Sequence, residues 1–189
     1  MCIRDSLWLA YQAAIQKAQS APRLLYLSPQ GSSLNEAKIR VLAKEKELIL
    51  LCGRYEGVDE RFLQKSGAEE VSIGDFVVSG GELPAMMLID ALLRKQPGVL
   101  GDSRSAEEDS FAVGLLDYAH YTRPSVWRGL KTPEVLLSGD HKKIALWRKQ
   151  NALTRTLTRR PDLLAGQSLN QEDACLLHAL QERQAKPIK

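Results

Sequence analysis

Residues 69–92 read EEVSIGDFVVSGGELPAMMLIDAL and change character twice along their length. Glu69–Ile73 has the length of a strand, and the segment that follows, Gly74–Glu82, is rich in glycine. Pro84 then opens a helix, because proline fits the first helical turn. Apolar residues continue that helix at helical spacing, namely Ala85, Leu88, Ile89 and Leu92. The segment therefore predicts a strand, a glycine loop and a helix.

The strand-and-loop pattern also occurs twice upstream. The apolar run Leu24–Leu27 ends in Ser28–Gly31 (SPQG), and a pattern typical of a helix follows it. The run Glu47–Cys52 is apolar after its first residue, which is typical of a strand covered on both faces, and it ends in Gly53–Gly57 (GRYEG). This repetition predicts a parallel α/β sheet with ligand-binding loops at the carboxyl ends of its strands.

The second half of the chain has a different pattern. Residues 98–110 are polar and aperiodic, and strand signals nearly vanish after them. A helix follows with Leu146, Leu153 and Leu157 on one face, and a last helix runs from about Asn170 to Gln184. Two residues turn a helix by about 200°, so a second set is expected to project opposite the leucines: Arg148, Arg155 and Arg159. We predict one domain over 1–100, a linker over 101–112 and a helical domain over 113–189.

Composition excludes several classes of protein. The 189 residues include 26 Lys and Arg against 23 Asp and Glu, a net charge of +3. The three cysteines are odd in number and far apart, which excludes a disulfide framework and a C-x-x-C zinc site. No apolar run reaches the ~20 residues of a bilayer span, so we predict a cytoplasmic protein without membrane contact. Between His141 and Arg160 seven residues are basic and none is acidic, which favours a polyanion as partner.

The three glycine-bearing loops lack the known phosphate-binding signatures. None matches G-x-G-x-x-G or the P-loop, and no lysine follows to neutralise a triphosphate. A neutral or cationic nucleoside cofactor is therefore favoured over ATP or NAD. Any one of these loops is more often a simple strand-to-helix turn, but three together favour a pocket. A different nucleotide-dependent α/β enzyme stays as an alternative on the fold pattern alone.

Five motifs occur in order: YLSPQG (26–31), CGRYEGVDER (52–61), SIGDFVVSGGELPA (72–85), EDSF (108–111) and HYTRP (120–124). From about Leu24 through Leu164 the chain resembles the bacterial tRNA (guanine-N1)-methyltransferases, members of the knotted SPOUT class. The resemblance implies an α/β fold: a SPOUT-type parallel sheet with a C-terminal trefoil knot, followed by a small, mainly helical C-terminal domain. Such knots are rare in protein chains.

The resemblance also implies a reaction. Family members transfer a methyl group from S-adenosylmethionine to N1 of the guanosine 3′-adjacent to the anticodon in tRNA. The positions of this chain that match the family's cofactor site are Tyr26, Leu27, Ser28, Pro29, Gly53, Tyr55, Gly57, Ile73, Gly74, Asp75, Phe76, Val77, Val78, Gly80, Gly81 and Pro84.

Three further residues match the family's catalytic groups. Asp109 matches the general base that removes the N1 proton, and Arg94 matches the arginine that stabilises charge on the reacting guanine. Glu56 matches an acidic residue near the methionine end of the cofactor and the target base. The family also implies a dependence on magnesium, although no carboxylate cluster here has a ligand spacing, so we predict no metal ligand.

The family implies a homodimer whose active site lies between the subunits, with Asp109 supplied across the interface. It also implies tRNA as partner. The residues expected to bind it are Asp117, His120, Arg123, Arg148, Arg155 and Arg159.

The chain departs from the family at its start. Family members begin with an additional strand and a glycine-rich segment upstream of the helix at Leu7. We therefore expect an N-terminally incomplete methyltransferase domain that lacks its first strand, which would expose a sheet edge. The alternative function is a catalytically impaired, nucleic-acid-binding fragment of such an enzyme.

Overall fold

The computed structural model describes residues 4–101, 109–167 and 169–185. For residues 183–185 it describes the backbone only. The chain consists of two compact units, Met1–Ser103 and Arg104–Lys189. The domain boundaries predicted above stay a prediction, because most of the linker 101–112 lies outside the described residues.

The first unit is built on a three-stranded parallel sheet. Its strands are β1 (Arg23–Ser33), β2 (Leu48–Cys52) and β3 (Glu69–Ser72), in the order β2-β1-β3. This confirms the predicted parallel α/β sheet, whereas the trefoil knot stays a prediction. In the part of this unit that the structure describes, the helices are α1 (Arg4–Lys17), α2 (Glu36–Leu42), α3 (Glu60–Ser66) and α4 (Glu82–Leu93).

The central strand β1 supplies both hydrophobic cores of this unit. Leu25 and Leu27 belong to a core that includes residues of α2 and α4. Leu24 and Tyr26 belong to a second core with Phe62 of α3, against which α1 packs. Successive residues of a strand point to opposite faces, so one short run is buried on both sides of the sheet. Strand β2 also packs on both faces, as predicted, although all its residues are half-buried at the edge of the described sheet.

Strand β1 is longer than predicted, and the expected loop Ser28–Gly31 lies inside it. Leu27 and Ser32 both pair with Val71 of β3, so the residues between them form a bulge. Pro29 contributes to this irregularity because it lacks the N–H that a strand ladder requires. Gly31 lies so close to the backbone of β3 that a Cβ there would collide with it. The first predicted loop is therefore a bulge within a strand.

Helix α3 is not predicted from the sequence, because its two apolar residues, Phe62 and Leu63, are adjacent and display no helical period. Its ends nevertheless carry recognisable signals. The Asp59 carboxylate accepts a hydrogen bond from the Arg61 N–H, which caps the first turn. Gly67 ends the helix in the left-handed conformation, with φ at 66°.

The second unit is mainly helical. It contains α5 (Glu134–Leu137), α6 (His141–Arg159), a 3-10 turn (Pro161–Leu163) and α7 (Gln171–Ala185). A short antiparallel hairpin, β4 (Val126–Trp127) and β5 (Leu130–Lys131), precedes them. Two-residue strands show no alternation, which is why the hairpin is not predicted. Asn170, near which the last helix is predicted to begin, caps α7: its side-chain oxygen accepts a hydrogen bond from the Asp173 N–H at 2.8 Å.

Helix α6 follows its predicted pattern only in part. Leu153 and Thr156 are fully buried, and Ala152 is buried with 9% of its surface exposed. Leu146 is 44% exposed, so the predicted leucine face is wrong at that position, and Ile144 and Trp147 are half-buried instead. Within the described ranges, every helix falls short of the length and apolarity that a membrane span requires.

Candidate functional site

Three segments at the carboxyl ends of the parallel strands surround one cavity of about 330 Å³. The first segment, residues 26–30, belongs to β1 and its bulge; the second, 53–58, follows β2. The third, 70–81, includes the end of β3 and the loop into α4. The volume lies at the low end of the about 300–1,000 Å³ typical of small-molecule sites. The carboxyl edge is also where α/β sheets bind ligands.

The structure brings the residues of the predicted cofactor site together. All of them line this cavity except Asp75, which is exposed and lies outside the lining set; Glu56 lines it as well. Sequence reasoning misses nine further lining residues, whose only signal is that each lies within six residues of a predicted position: Gln30, Arg54, Val58, Glu60, Leu63, Glu70, Val71, Ser72 and Ser79.

Tyr26 forms a buried part of the cavity wall, and the second segment approaches its ring closely. A Cβ on Gly53 would lie 2.9 Å from Tyr26 Oη and from its ring carbon Cε2. A Cβ on Gly57 would lie 3.8 Å from the same hydroxyl oxygen, an ordinary contact. Gly53 therefore lets the backbone pass the tyrosine ring at a distance that no side chain allows.

The second segment is fixed to the start of α4. The Gly81 N–H donates to the Gly53 carbonyl at 2.9 Å, and Arg54 forms an antiparallel bridge with Gly80. Arg54 Nε also lies 2.8 Å from a carboxylate oxygen of Glu82. This hydrogen bond raises the pKa of Arg54, while the backbone N–H of Glu82 itself and then Arg54 lower the pKa of the Glu82 carboxyl. Two walls of the cavity are thus tied together.

The third segment is a tight loop with exposed apolar residues. The Ser72 hydroxyl donates to the Gly74 carbonyl at 3.0 Å and accepts from the Gly74 N–H at 3.2 Å. Gly74 has φ at 151°, a conformation that L side chains rarely adopt. Phe76 and Val77, which follow, are 54% and 83% exposed. An apolar surface therefore adjoins the cavity.

The charges around this cavity suit a particular class of ligand. Glu56, Glu60 and Glu70 line it, whereas Arg54 is paired with Glu82. The lining residues that the structure describes include no lysine. Such a wall favours a neutral or cationic nucleoside over a polyphosphate. Across the described ranges, no group of three or more His, Cys, Asp or Glu side chains is placed to hold a metal ion, so no magnesium ligand is assigned.

The two residues predicted to act on guanine lie in different units. Arg94 is the exposed C-cap of α4, and its N–H donates to the Asp90 carbonyl at 3.1 Å. Asp109 is half-buried, and its backbone carbonyl accepts from the Ala112 N–H at 3.1 Å. Neither Arg94 nor Asp109 is among the residues that line the first cavity.

The residues predicted to bind RNA are partly gathered in the second unit. His120, Arg123 and Arg148 line a second, open cavity of about 1050 Å³, and an Asp117 oxygen lies 2.8 Å from His120 Nε2. Arg159 is exposed at the end of α6, outside the lining set. Arg155 is only half-buried rather than exposed, and its Nε is buried without a hydrogen-bond partner. The predicted basic face is therefore incomplete at Arg155.

These features define an α/β protein with a nucleoside-sized site at the carboxyl edge of a parallel sheet, joined to a second, helical unit with basic residues around a cavity. Residues 2–166 match the family described as tRNA (Guanine-1)-methyltransferase TrmD, and the chain belongs to this family of enzymes. The resemblance drawn from the five motifs is confirmed.

Individual relatives agree with this assignment. A tRNA (guanine-N(1)-)-methyltransferase of Neisseria meningitidis serogroup C (strain FAM18) is 58% identical over 176 residues, which cover 91% of this chain and 71% of the relative. The protein of the same description from Dechloromonas aromatica is 60% identical over 156 residues, 82% of this chain and 61% of the relative. The one from Aliivibrio salmonicida is 55% identical over 175 residues, 93% and 69% of the two chains.

Proposed function

We propose that this protein transfers a methyl group from S-adenosylmethionine to N1 of a guanosine in tRNA, at the position 3′-adjacent to the anticodon. One observation carries the proposal: in a chain of this family, three separate segments meet around a single cavity of nucleoside size. The alternative, an impaired nucleic-acid-binding fragment, is not favoured, because that cavity is formed within this chain.

The cavity fits S-adenosylmethionine chemically. The close approach of Gly53 to Tyr26 keeps side chains out of the space that an adenosyl group requires. The carboxylate of Glu56 suits the positive charge of the methionine end. When bound, the cofactor supplies an electrophilic methyl group. We further propose that the three segments belong to a SPOUT trefoil knot in a domain over 1–100, linked through 101–112 to an RNA-binding domain over 113–189.

The chemistry of guanine explains the roles proposed for Asp109 and Arg94. Guanine N1 carries a proton near neutral pH, so it becomes a nucleophile only when a base removes that proton. A carboxylate within hydrogen-bond reach of N1, that of Asp109, takes it. Negative charge then develops towards O6, where the guanidinium of Arg94 stabilises it. Asp109 thus acts on the proton at N1, and Arg94 acts on the negative charge that its removal creates at O6.

A homodimer completes this site in our proposal. Three apolar side chains of α4 are largely exposed, with Leu83 at 63%, Met86 at 65% and Met87 at 57%. Large exposed apolar patches mark interaction surfaces. We therefore propose that this face of α4 meets a second copy of the chain, and that the second subunit supplies Asp109. Because tRNA is the substrate, we infer a cytoplasmic location.

The test measures methyl transfer from radiolabelled S-adenosylmethionine to an unmodified tRNA transcript. Asp109→Asn is expected to lower kcat by about 100-fold or more, the scale of general-base catalysis, without changing cofactor affinity. Glu172→Gln, which removes an exposed carboxylate in α7, is the matched control and is expected to keep full activity. Unaltered turnover by Asp109→Asn would refute the assigned base. Methylation that persists when the N1 position is blocked would refute the assigned atom.

A further inference from the structure

The second cavity combines apolar, aromatic and cationic groups within one unit. Tyr118, Leu136 and Ile144 are half-buried lining residues, whereas His120, Tyr121, Arg123 and Arg148 are exposed ones. Among the lining residues that the structure describes, none is acidic. The cavity therefore presents rings and positive charge over an apolar base.

Hydrogen bonds to α6 hold one wall of this cavity in place. The Leu116 N–H donates to the Thr156 hydroxyl at 2.9 Å, and Thr156 is fully buried. The Ala119 N–H donates to the Asn151 side-chain oxygen at 2.8 Å. Both bonds join a chain segment without regular structure to a long helix. The aromatic residues that follow this segment therefore start from a fixed backbone.

Side-chain contacts then orient the groups that face the cavity. An Asp117 carboxylate oxygen accepts from the Tyr118 N–H at 2.7 Å, and the other lies 2.8 Å from His120 Nε2. The His120 and Tyr118 ring centroids are 4.8 Å apart. The Arg148 guanidinium lies 4.7 Å from the centroid of the Tyr118 ring, within the range of a cation–π interaction. Asp117 thus acts as a positioning residue beside a cluster of two rings, tilted at 43° to each other, and one guanidinium.

A second aromatic group lies on the same wall. Tyr121 is 50% exposed, and its ring meets the Trp147 ring of α6 at a centroid distance of 6.2 Å and an angle of 62°. The indole therefore supports the tyrosine ring, and half of the Tyr121 residue stays exposed. Exposed aromatic rings beside basic side chains are the arrangement by which proteins stack and hold unpaired nucleotides.

We propose that this cavity holds an unpaired nucleotide of the RNA substrate. The base stacks on the ring surface of His120 and Tyr121, while Arg123 and Arg148 contact the flanking phosphates. The inference rests on the proposed function only in taking RNA as the partner. It adds a second point of recognition, in the unit that does not contain the cofactor cavity, and this point distinguishes single-stranded from paired RNA. An acidic peptide would satisfy the cations but leave the rings without a planar partner.

The experiment uses the full chain and a tRNA anticodon-arm hairpin with 2-aminopurine placed in turn at each loop position. Stacking on an aromatic side chain quenches this fluorophore, so one loop position is expected to lose fluorescence on binding. A fully paired duplex of the same length is the competitor. Titration with S-adenosylmethionine alone is run in parallel for every variant, as a check of the first cavity.

Tyr121→Leu is expected to weaken hairpin binding by roughly 5- to 150-fold and abolish the quenching, since base–aromatic stacking has that range of energies. Tyr121→Phe keeps the ring and is expected to restore both. The plot of log K against log salt concentration has a negative slope. Arg148→Gln is expected to make that slope shallower by about 0.7, the value for one phosphate contact in single strands. Lys131→Gln, an equal loss of charge outside the cavity, is the matched control for a mere change in net charge.

Three results would overturn the nucleotide cavity: unchanged binding by Tyr121→Leu, equal competition by the paired duplex, or equal salt slopes for the Arg148 and Lys131 variants. Absence of RNA binding in a chain that still binds S-adenosylmethionine would overturn it too. If cofactor binding were lost while the RNA results stayed as expected, the result would count against the proposed methyl transfer but would support the nucleotide cavity.

Discussion

The ring of Tyr26 sets the space available to the second segment of the cofactor cavity. Any residue other than glycine at position 53 would place its Cβ only 2.9 Å from the Tyr26 hydroxyl oxygen and from the edge of its ring. The Tyr26 ring has little room to move, because the residue is only 7% exposed and packs with Phe62 in the core. A collision there displaces either the ring or the segment 53–58, and both form the cavity wall.

Gly53→Ala is therefore expected to weaken binding of S-adenosylmethionine by at least about tenfold, equivalent to about 1.4 kcal/mol. Isothermal titration calorimetry measures the affinity, and circular dichroism checks that the fold is kept. Gly166→Ala is the matched control, since a Cβ there meets no atom within 4 Å. Equal affinities for the two variants would show that the tyrosine and the loop adjust without cost to the cavity.

At the scale of the element, helix α3 depends on a single carboxylate at its start. The side-chain hydrogen bond from Arg61 to Asp59, followed by the backbone N–H of Arg61, lowers the pKa of Asp59 from 3.8 to about 2. The folded-state pKa is thus below the unfolded one. The ionised carboxylate consequently stabilises the folded protein above about pH 3.8, and this contribution is lost as the pH falls towards 2.

We predict that the difference in unfolding free energy between the wild type and Asp59→Asn shrinks as the pH falls from 5 to 2. Asparagine keeps a capping oxygen but does not titrate, so the variant isolates the charge. Urea unfolding at several pH values measures the difference. Arg61→Gln removes the main cause of the low pKa and is expected to flatten the same part of the curve. A difference that stays constant across this range would contradict the assignment.

The elements also show what a sequence can and cannot specify here. The parallel sheet is predictable because apolar runs such as Leu24–Leu27 and Glu47–Cys52 are short and are each followed within a few residues by glycine. The continuation of β1 through Pro29 to Ser33 is not, because the residues beyond Leu27 are polar and pair with β3 only through a bulge. Local pattern identifies the buried half of that strand and misses the half that tertiary pairing creates.

The candidate site divides in the same way. The motifs around Gly53 and Gly81 locate the cofactor cavity because glycine is required where the chain passes close to the Tyr26 ring and to the backbone of Cys52. The position of Arg155 is not predictable from spacing, since its half-burial depends on which neighbours pack against α6. Likewise, no spacing rule brings Arg148 over the ring of Tyr118, thirty residues earlier in the chain.

At the scale of the whole molecule, the proposed reaction requires two chains. The cofactor cavity lies in the first unit, whereas Asp109 belongs to the second unit. In the proposed dimer, the general base Asp109 of each subunit serves the cavity of the other subunit. A symmetric dimer has two such sites, and each combines residues of both copies. Defects in the cavity and in the base are then expected to complement one another.

Asp109→Asn and Gly53→Ala are each expected to be poorly active alone when S-adenosylmethionine is below saturation. They are expected to recover activity under the same conditions when they are refolded together. Half of the randomly formed dimers are mixed, and each mixed dimer has one site with an intact cavity and an intact aspartate. The mixture should therefore reach about a quarter of the wild-type rate of methyl transfer, because one dimer site in four is whole. If each chain instead used its own Asp109, no mixed dimer would contain a whole site. The mixture would then remain at the rate of the separate variants, and the shared site would be ruled out.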